Sequence, residues 1–363
     1  MKKWEKNLKL YNPNYLKDCN PNDPNGPIRV IRKLIRGIRI IAMKNIVIIG
    51  GGTGTFTLLS GLRKFPSNNS VIVSSADDGG STGVLRKDLG VFPPGDLRQC
   101  LVGLSYTDQP LRDLFSYRFD KGALAGHNVG NIILAALEKI TGNVETAVEL
   151  ASKVLNVRGQ VLPVSLESSV LSAELKNGKK LVGEHNIDDQ DPKKSTSPIV
   201  KLNLSATKAN PKVIEAIKQA DVIVFGPGDL FTSILPNILF KEVAEAINKS
   251  KAKKVLVTNI MTKYGQTDGF KASDFVSTLE KYLGGKIDVV LQNNKKPSAE
   301  VLKKYTSEKA KFVEPDLKTN TDLKVVSAGL ISGQTIKKSL SDKLKRSFLR
   351  HDCDKAAKII WDL

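Results

Sequence analysis

A run of β-branched residues, Ile46, Val47, Ile48 and Ile49, breaks abruptly into Gly50, Gly51, Gly52, Thr53 and Gly54, and no other stretch of the chain limits its fold so strongly. Four glycines in five residues end the strand in a sharp, side-chain-free turn. Beyond it Phe56, Leu58, Leu59, Leu62 and Phe65 recur at helical spacing. A second apolar strand, Val71 to Val73, then ends in two carboxylates, Asp77 and Asp78. Strand, glycine turn, helix, strand is the opening unit of an α/β nucleotide-binding fold.

Glycines at such a turn leave the free N–H groups of the helix N-terminus open to an anion, and phosphate is the natural occupant. The spacing argues against two familiar relatives. Thr55 stands where a dinucleotide fingerprint starting at Gly50 needs its third glycine, and no lysine follows as in a nucleoside-triphosphate P-loop. Neither NAD nor a flavin is expected as a bound prosthetic group. The bland reading of the turn is tight strand-to-helix packing alone.

The chain has 363 residues, enough for a full core, and three widely spaced cysteines without a C-x-x-C pair. A reduced, cytoplasmic protein is expected, with no Cys-based metal site. Three histidines, His127, His185 and His351, leave little room for an imidazole-rich centre. The net charge of +19 is uneven, because residues 1–44 hold eleven Lys or Arg against three acids. No helix-turn-helix, zinc-finger or RNA-binding signature accompanies it, so phosphorylated small molecules or acidic lipid are better partners than specific nucleic acid.

Residues 1–27 read as poorly ordered, and residues 28–42 as a basic amphipathic helix. Arg29, Arg32, Lys33, Arg36 and Arg39 fall on one face and isoleucines on the other, a pattern suited to an anionic membrane surface. The alternatives are a helix packed on the main domain or an extension upstream of a start at Met43. Residues 43–363 read as a doubly wound, mostly parallel Rossmann-like α/β domain. A small β insertion is expected at about 159–205, with a hairpin turn at Lys176, Asn177 and Gly178. Asp96 reads as an N-cap after Pro93, Pro94 and Gly95. In such sheets the ligand crevice lies at the carboxyl ends of the strands, where the loops after residues 49, 76, 225 and 258 begin.

Read together, those loops carry a resemblance. GGGTG at 50–54, ADDGGSTG at 76–83, PPGDLRQCL at 93–101, AGHNVGN at 125–131, GPGDLFTSILPN at 226–237, NIMTKYGQTDGF at 259–270 and RHD at 350–352 occur in order. Residues 43–363 resemble the YvcK-type gluconeogenesis factors and, more distantly, the 2-phospho-L-lactate transferases of deazaflavin coenzyme biosynthesis. Phe231 and Phe270 depart from the pattern, which often has tyrosine there. The first branch implies a cytoplasmic regulator that binds a UDP-sugar such as UDP-N-acetylglucosamine and serves cell shape and wall synthesis under gluconeogenic growth. The second implies transfer of a phospholactyl-type group from a nucleoside diphosphate to a deazaflavin alcohol with Mg2+. The regulator is the preferred reading, and a homo-oligomer is compatible with either.

Both branches need a diphosphate cradle. Gly51, Gly52, Thr53, Gly54 and Thr55 are expected to offer amides to phosphate, and Gly226, Gly228, Asp229, Thr232 and Ser233 to hold the nucleoside or second phosphate. Asp77 or Asp78 would bind Mg2+ or a ribose hydroxyl. Gly79, Gly80, Ser81, Asn128, Asn131 and Asn259 sit in loops facing the same side. A transferase would draw its base from Asp78, Asp96 or His127, with Arg98 stabilising phosphate charge. The structural alternatives are N-capping for Asp96, loop ordering for His127 and a surface ion pair for Arg98. By resemblance, Tyr305 and Arg350 reach the nucleotide; the alternatives are a surface aromatic and a helix-docking contact.

Overall fold

The computed structural model describes residues 43–194, 196–206, 208–333 and 348–363. The basic helix expected at 28–42 lies outside the described residues. Seven parallel strands form the central sheet: β1 (Lys44–Ile49), β2 (Ser67–Val73), β3 (Gln160–Pro163), β7 (Val222–Phe225), β8 (Lys253–Val257), β9 (Val289–Asn293) and β10 (Lys324–Ala328). Their order is β10-β9-β8-β7-β1-β2-β3. The chain therefore winds outward from β1 to β3, returns, and winds the other way from β7 to β10. This is the doubly wound topology the sequence leads one to expect, and its reversal point lies between β1 and β7.

The strands are short and apolar because both faces are covered. On one face Ile46, Ile48, Val71, Val73, Val224 and Val257 pack with Leu58, Leu59 and Leu62 of α1 (Gly52–Leu62) and with Ala357 and Ile360 of the C-terminal helix. On the other, Val47, Ile49, Ile72, Ile223 and Phe225 meet Val213, Ile217, Val243, Ile247 and Leu279 of later helices. Between β2 and β3 run five helices: α2 (Gly80–Leu89), α3 (Pro94–Leu104), α4 (Gln109–Ser116), α5 (Val129–Thr141) and α6 (Val144–Val154).

The insertion is smaller than expected. Gln160–Pro163 pairs in parallel with Ser70–Val73, so it is the edge of the main sheet. Only β4 (Leu171–Leu175), β5 (Lys180–Val182) and β6 (Ile199–Leu204) form the separate antiparallel sheet, in the order β5-β4-β6. A four-residue apolar run looks the same in either sheet, and only its pairing decides. The expected turn is present, with Gly178 at φ +84° between β4 and β5. A short helix, α7 (Glu184–Asp188), follows β5 and meets the segments after β2, β7 and β8 through Asp78, Thr232 and Lys263.

Candidate functional site

The turns after β1 and β7 lie side by side at the reversal of strand order. The Gly226 N–H donates to Ile49 O at 3.0 Å and the Gly50 N–H to Ile72 O at 3.1 Å. A methyl group on Gly54 would lie 2.4 Å from Pro227 O, so only hydrogen lets α1 begin against the second loop. Gly52 holds φ at +69°, a left-handed conformation that favours glycine. Thr55 is fully buried and its hydroxyl points at Pro227 O, at 3.4 Å. The N-terminus of α1 and the 226–229 turn thus lie directly against each other, as the two halves of a diphosphate cradle would have to.

Asp96 stands beside this junction. The helix bearing it starts at Pro94, with proline favoured at the first helical position, so Asp96 stands in the first turn of α3 and does not cap it as expected. Its carboxylate lies against the Gly51 Cα, where an added Cβ would sit 1.8 Å from Oδ2. Burial, then the charge of Asp77, push the Asp96 carboxyl up to about 7, against the pull of Arg98 and the Gly52 N–H. Asp77 is raised by burial as well, and its Oδ1 accepts the Gly79 N–H at 3.0 Å.

Asp78 goes elsewhere. Asp77 Oδ2 lies against Gly95, whereas Asp78 turns to the insertion, where its Oδ1 accepts the His185 N–H at 2.7 Å. A groove of about 480 Å³ lies between α2 and the insertion, lined by Asp78, Arg86, Lys87 and His185 among others, and none of the 50–55 turn contributes to it.

On the far side of the cradle stands a second charged group. The Lys263 ammonium, in the loop after β8, donates to Asp188 of α7 and, at 2.7 Å, to Asp229. Thr232 Oγ1 and Gln266 Nε2 also donate to Asp188 Oδ1, at 3.0 and 3.2 Å. Burial alone would lift the Asp188 carboxyl, but Lys263 and these donors hold it below its ordinary value. Asp229 is raised by burial despite Lys263. Lys263 is itself held above the usual lysine range by Asp229 and Asp188, against burial. Glu184, at the start of α7, is pushed well up by burial and then by Asp188, Asp77 and Asp96.

The remaining expected residues form two supporting groups. Ser81 Oγ lies 3.3 Å from His127 Nδ1 and accepts the Asn128 N–H at 3.4 Å. The Asn128 side chain caps α5 through the Asn131 N–H, and Asn131 Oδ1 accepts Arg98 Nε at 3.2 Å. Arg98 is buried, which separates it from a surface ion pair. Gly79 and Gly80 lead into α2 beside them. Ser233 lies in a π-helical turn, Leu230–Ile234, whose Ser233 N–H donates to Asp229 O at 2.8 Å. Asn259 follows β8, and its buried amide oxygen has no donor among the described residues.

Tyr305 is buried, not a surface aromatic. Its hydroxyl accepts the Leu349 N–H at 2.8 Å and its ring meets Phe348 edge-on at 5.6 Å, so it holds the segment that carries Arg350. Phe231 packs edge-on to Phe270 at 6.4 Å, which uses both rings in the core. Sequence reasoning missed Lys263, Asp188 and Glu184. The first was legible as a lysine in a loop at the carboxyl end of a strand, and the other two sit in an insertion that carries no such signal.

No group of three His, Cys, Asp or Glu side chains converges as a metal-ligand set among the described residues. Asp77 Oδ2 lies against Gly95, where an added Cβ would be 2.6 Å away, and so stands next to Asp96. Two neighbouring carboxylates suit a Mg2+ that takes its other oxygens from phosphate and water. No helix of the described residues is long and apolar enough to cross a membrane.

Residues 46–331 match the family model of 2-phospho-L-lactate transferase CofD. A gluconeogenesis factor of Bacillus subtilis is 41% identical over 322 residues, covering 88% of this chain and 97% of the relative. One of Halalkalibacterium halodurans is 42% identical over 321 residues, covering 88% and 96%. The crystal structure of a UPF0052-family protein from Bacillus halodurans superposes with a TM-score of 0.80 at 41% identity, covering 88% of this chain and 99% of that one.

Proposed function

The chain belongs to the 2-phospho-L-lactate transferase CofD family, and from that premise we propose that it is a gluconeogenesis factor working in the cytoplasm as a UDP-sugar-binding regulator. UDP-N-acetylglucosamine is the ligand we favour, with cell shape and wall synthesis under gluconeogenic growth as the process served. One observation carries the reading: the glycine turns after β1 and β7 meet so closely at the reversal of strand order that a methyl group on Gly54 would strike Pro227 O at 2.4 Å. In our reading the backbone N–H groups of both turns are the donors a diphosphate requires.

In this reading Gly51 to Thr55 hold one phosphate and the 226–229 turn the other. Asp77 and Asp96 would hold a Mg2+ brought with the diphosphate, and such an ion supplies charge neutralisation. The segment that carries Arg350 is fixed by the Tyr305 hydroxyl and by His351, whose Nε2 donates to Thr258 O at 3.1 Å, and in this reading it would approach the bound nucleotide. Native mass spectrometry of the purified protein tests it. A retained mass equal to a UDP-sugar supports the assignment, and a protein that stays bare after incubation with UDP-N-acetylglucosamine removes it.

A transferase reading is favoured by one feature. The Asp96 carboxyl, raised to about 7, has the proton affinity of a general base near neutral pH and lies against the cradle. In that case Asp96 would take the proton of an acceptor hydroxyl as its oxygen attacks the diphosphate. Release of nucleoside monophosphate in the presence of a deazaflavin alcohol and Mg2+ would establish this.

A further inference from the structure

The crevice is rich in acid. Asp77, Asp96, Glu184, Asp188 and Asp229 lie near enough to feel one another's charge, and burial makes that crowding costly. Its guanidinium groups have duties of their own. Arg98 Nε bonds Asn131, and Arg86 donates to the carbonyls of Asp77 and Ser169, at 3.4 and 2.7 Å. Lys263 differs. An ammonium has three N–H donors, and two are spent, on Asp188 and Asp229. The side chain remains 29% exposed, and the third donor has no acceptor among the described residues.

Position matters as much as charge. Asp229 follows Gly228, and an added Cβ on Gly228 would stand 3.6 Å from Gly51 O, so Lys263 is bonded to the residue next to the junction of the two turns. Asp188 belongs to the insertion, and neighbouring contacts fasten the same edge: Gln190 Nε2 donates to Gly265 O at 2.8 Å and the Tyr264 hydroxyl to Lys194 O at 2.6 Å. At the other end of α7, Asp78 accepts the His185 N–H. The insertion is thus pinned to the main sheet at both ends of one short helix.

We propose that Lys263 is a ligand-contacting residue that joins the two parts of the site: it holds α7 in place through Asp188 and Asp229 and donates its third N–H to a phosphate in the cradle. A bound diphosphate then completes the shell of the ammonium and offsets the acids around it. Phosphate binding and the seating of the insertion become one event. This rests on the reading of the crevice as a diphosphate site, and two probes separate the claims: UDP-N-acetylglucosamine and inorganic pyrophosphate, which shares only the phosphate chemistry.

The test is calorimetry and hydrogen exchange on the full chain, with Lys263→Met and Lys263→Met/Asp188→Asn/Asp229→Asn. The triple variant leaves no unpaired carboxylate at the hub, so it keeps the fold if the single one does not. The expected result is about a tenfold or larger loss of affinity for both probes in both variants, as for losing one charge-assisted hydrogen bond. In the parent, either probe should slow amide exchange across 184–190, and in the variants it should not. Unchanged affinity in the triple variant overturns the proposal, as does a parent that binds neither probe. A parent that binds pyrophosphate through Lys263 but not the UDP-sugar upholds Lys263 and refutes the nucleotide reading.

Discussion

Asp96 lies so close on the Cα of Gly51 that an added Cβ would come within 1.8 Å of its Oδ2. The acid of one helix and the glycine ahead of another are therefore fitted to each other. Gly51→Ala must push the Asp96 carboxylate away. We expect a stability loss of about 1–3 kcal/mol, the usual range for overpacking a filled site, measured by urea unfolding. Gly51→Ala in an Asp96→Ala background should recover most of it, and failure to recover would mean that the clash lies with the backbone.

The raised Asp96 carboxyl gives stability a definite pH dependence. Its folded-state value of about 7 exceeds the unfolded value of about 3.9. Between the two the native protein keeps a proton that the unfolded chain has lost. Its contribution is therefore fullest below about pH 4 and declines as pH rises to about 7, by up to about 1.4 kcal/mol per unit. Asp77, Glu184 and Asp229 are raised too and act in the same direction, while the lowered Asp188 opposes them. Asp96→Asn should flatten the curve between about pH 5 and 7, and unfolding midpoints across that range check it.

Tyr305→Phe removes the acceptor of the Leu349 N–H while keeping the ring against Phe348. A backbone donor left without its partner costs about 1–3 kcal/mol. A lower melting temperature together with weaker UDP-sugar binding is the expected pair of effects. Unchanged binding would show that the segment around Arg350 does not reach the ligand.

The first β-α-β unit is plain in the sequence because strand and helix periods meet at a glycine turn with no competing signal. The relation of Asp77 to Asp78 is not, since two like residues in succession read as one feature until their side chains are seen to go to different elements, Asp77 to Gly95 and Asp78 to His185. Asp96 was misplaced for a local reason: Pro94 starts the helix early and moves the acid from cap to first turn. The hub joins Lys263 to Asp229, 34 residues away in sequence, and to Asp188 of α7, 75 residues away, and no periodicity encodes such a meeting.

If residues 28–42 form the helix their sequence pattern suggests, five basic side chains share one of its faces. Each would gain about 1 kcal/mol near an acidic bilayer. The full chain should sediment with anionic vesicles at low salt and be released at high salt, whereas a version beginning at Met43 should stay in the supernatant. Equal behaviour of the two would remove the membrane role.

The direct test of the joined cradle is calorimetry of UDP-N-acetylglucosamine binding to Gly54→Ala, with Gly90→Ala as control. The first places a methyl group 2.4 Å from Pro227 O and parts the two turns; the second has left-handed φ, +63°, with nothing within 4 Å of the added carbon. Binding by the parent and by Gly90→Ala, with a loss of about tenfold or more in folded Gly54→Ala, is the expected result. Equal affinity in all three proteins would contradict a diphosphate site built from the turns after β1 and β7.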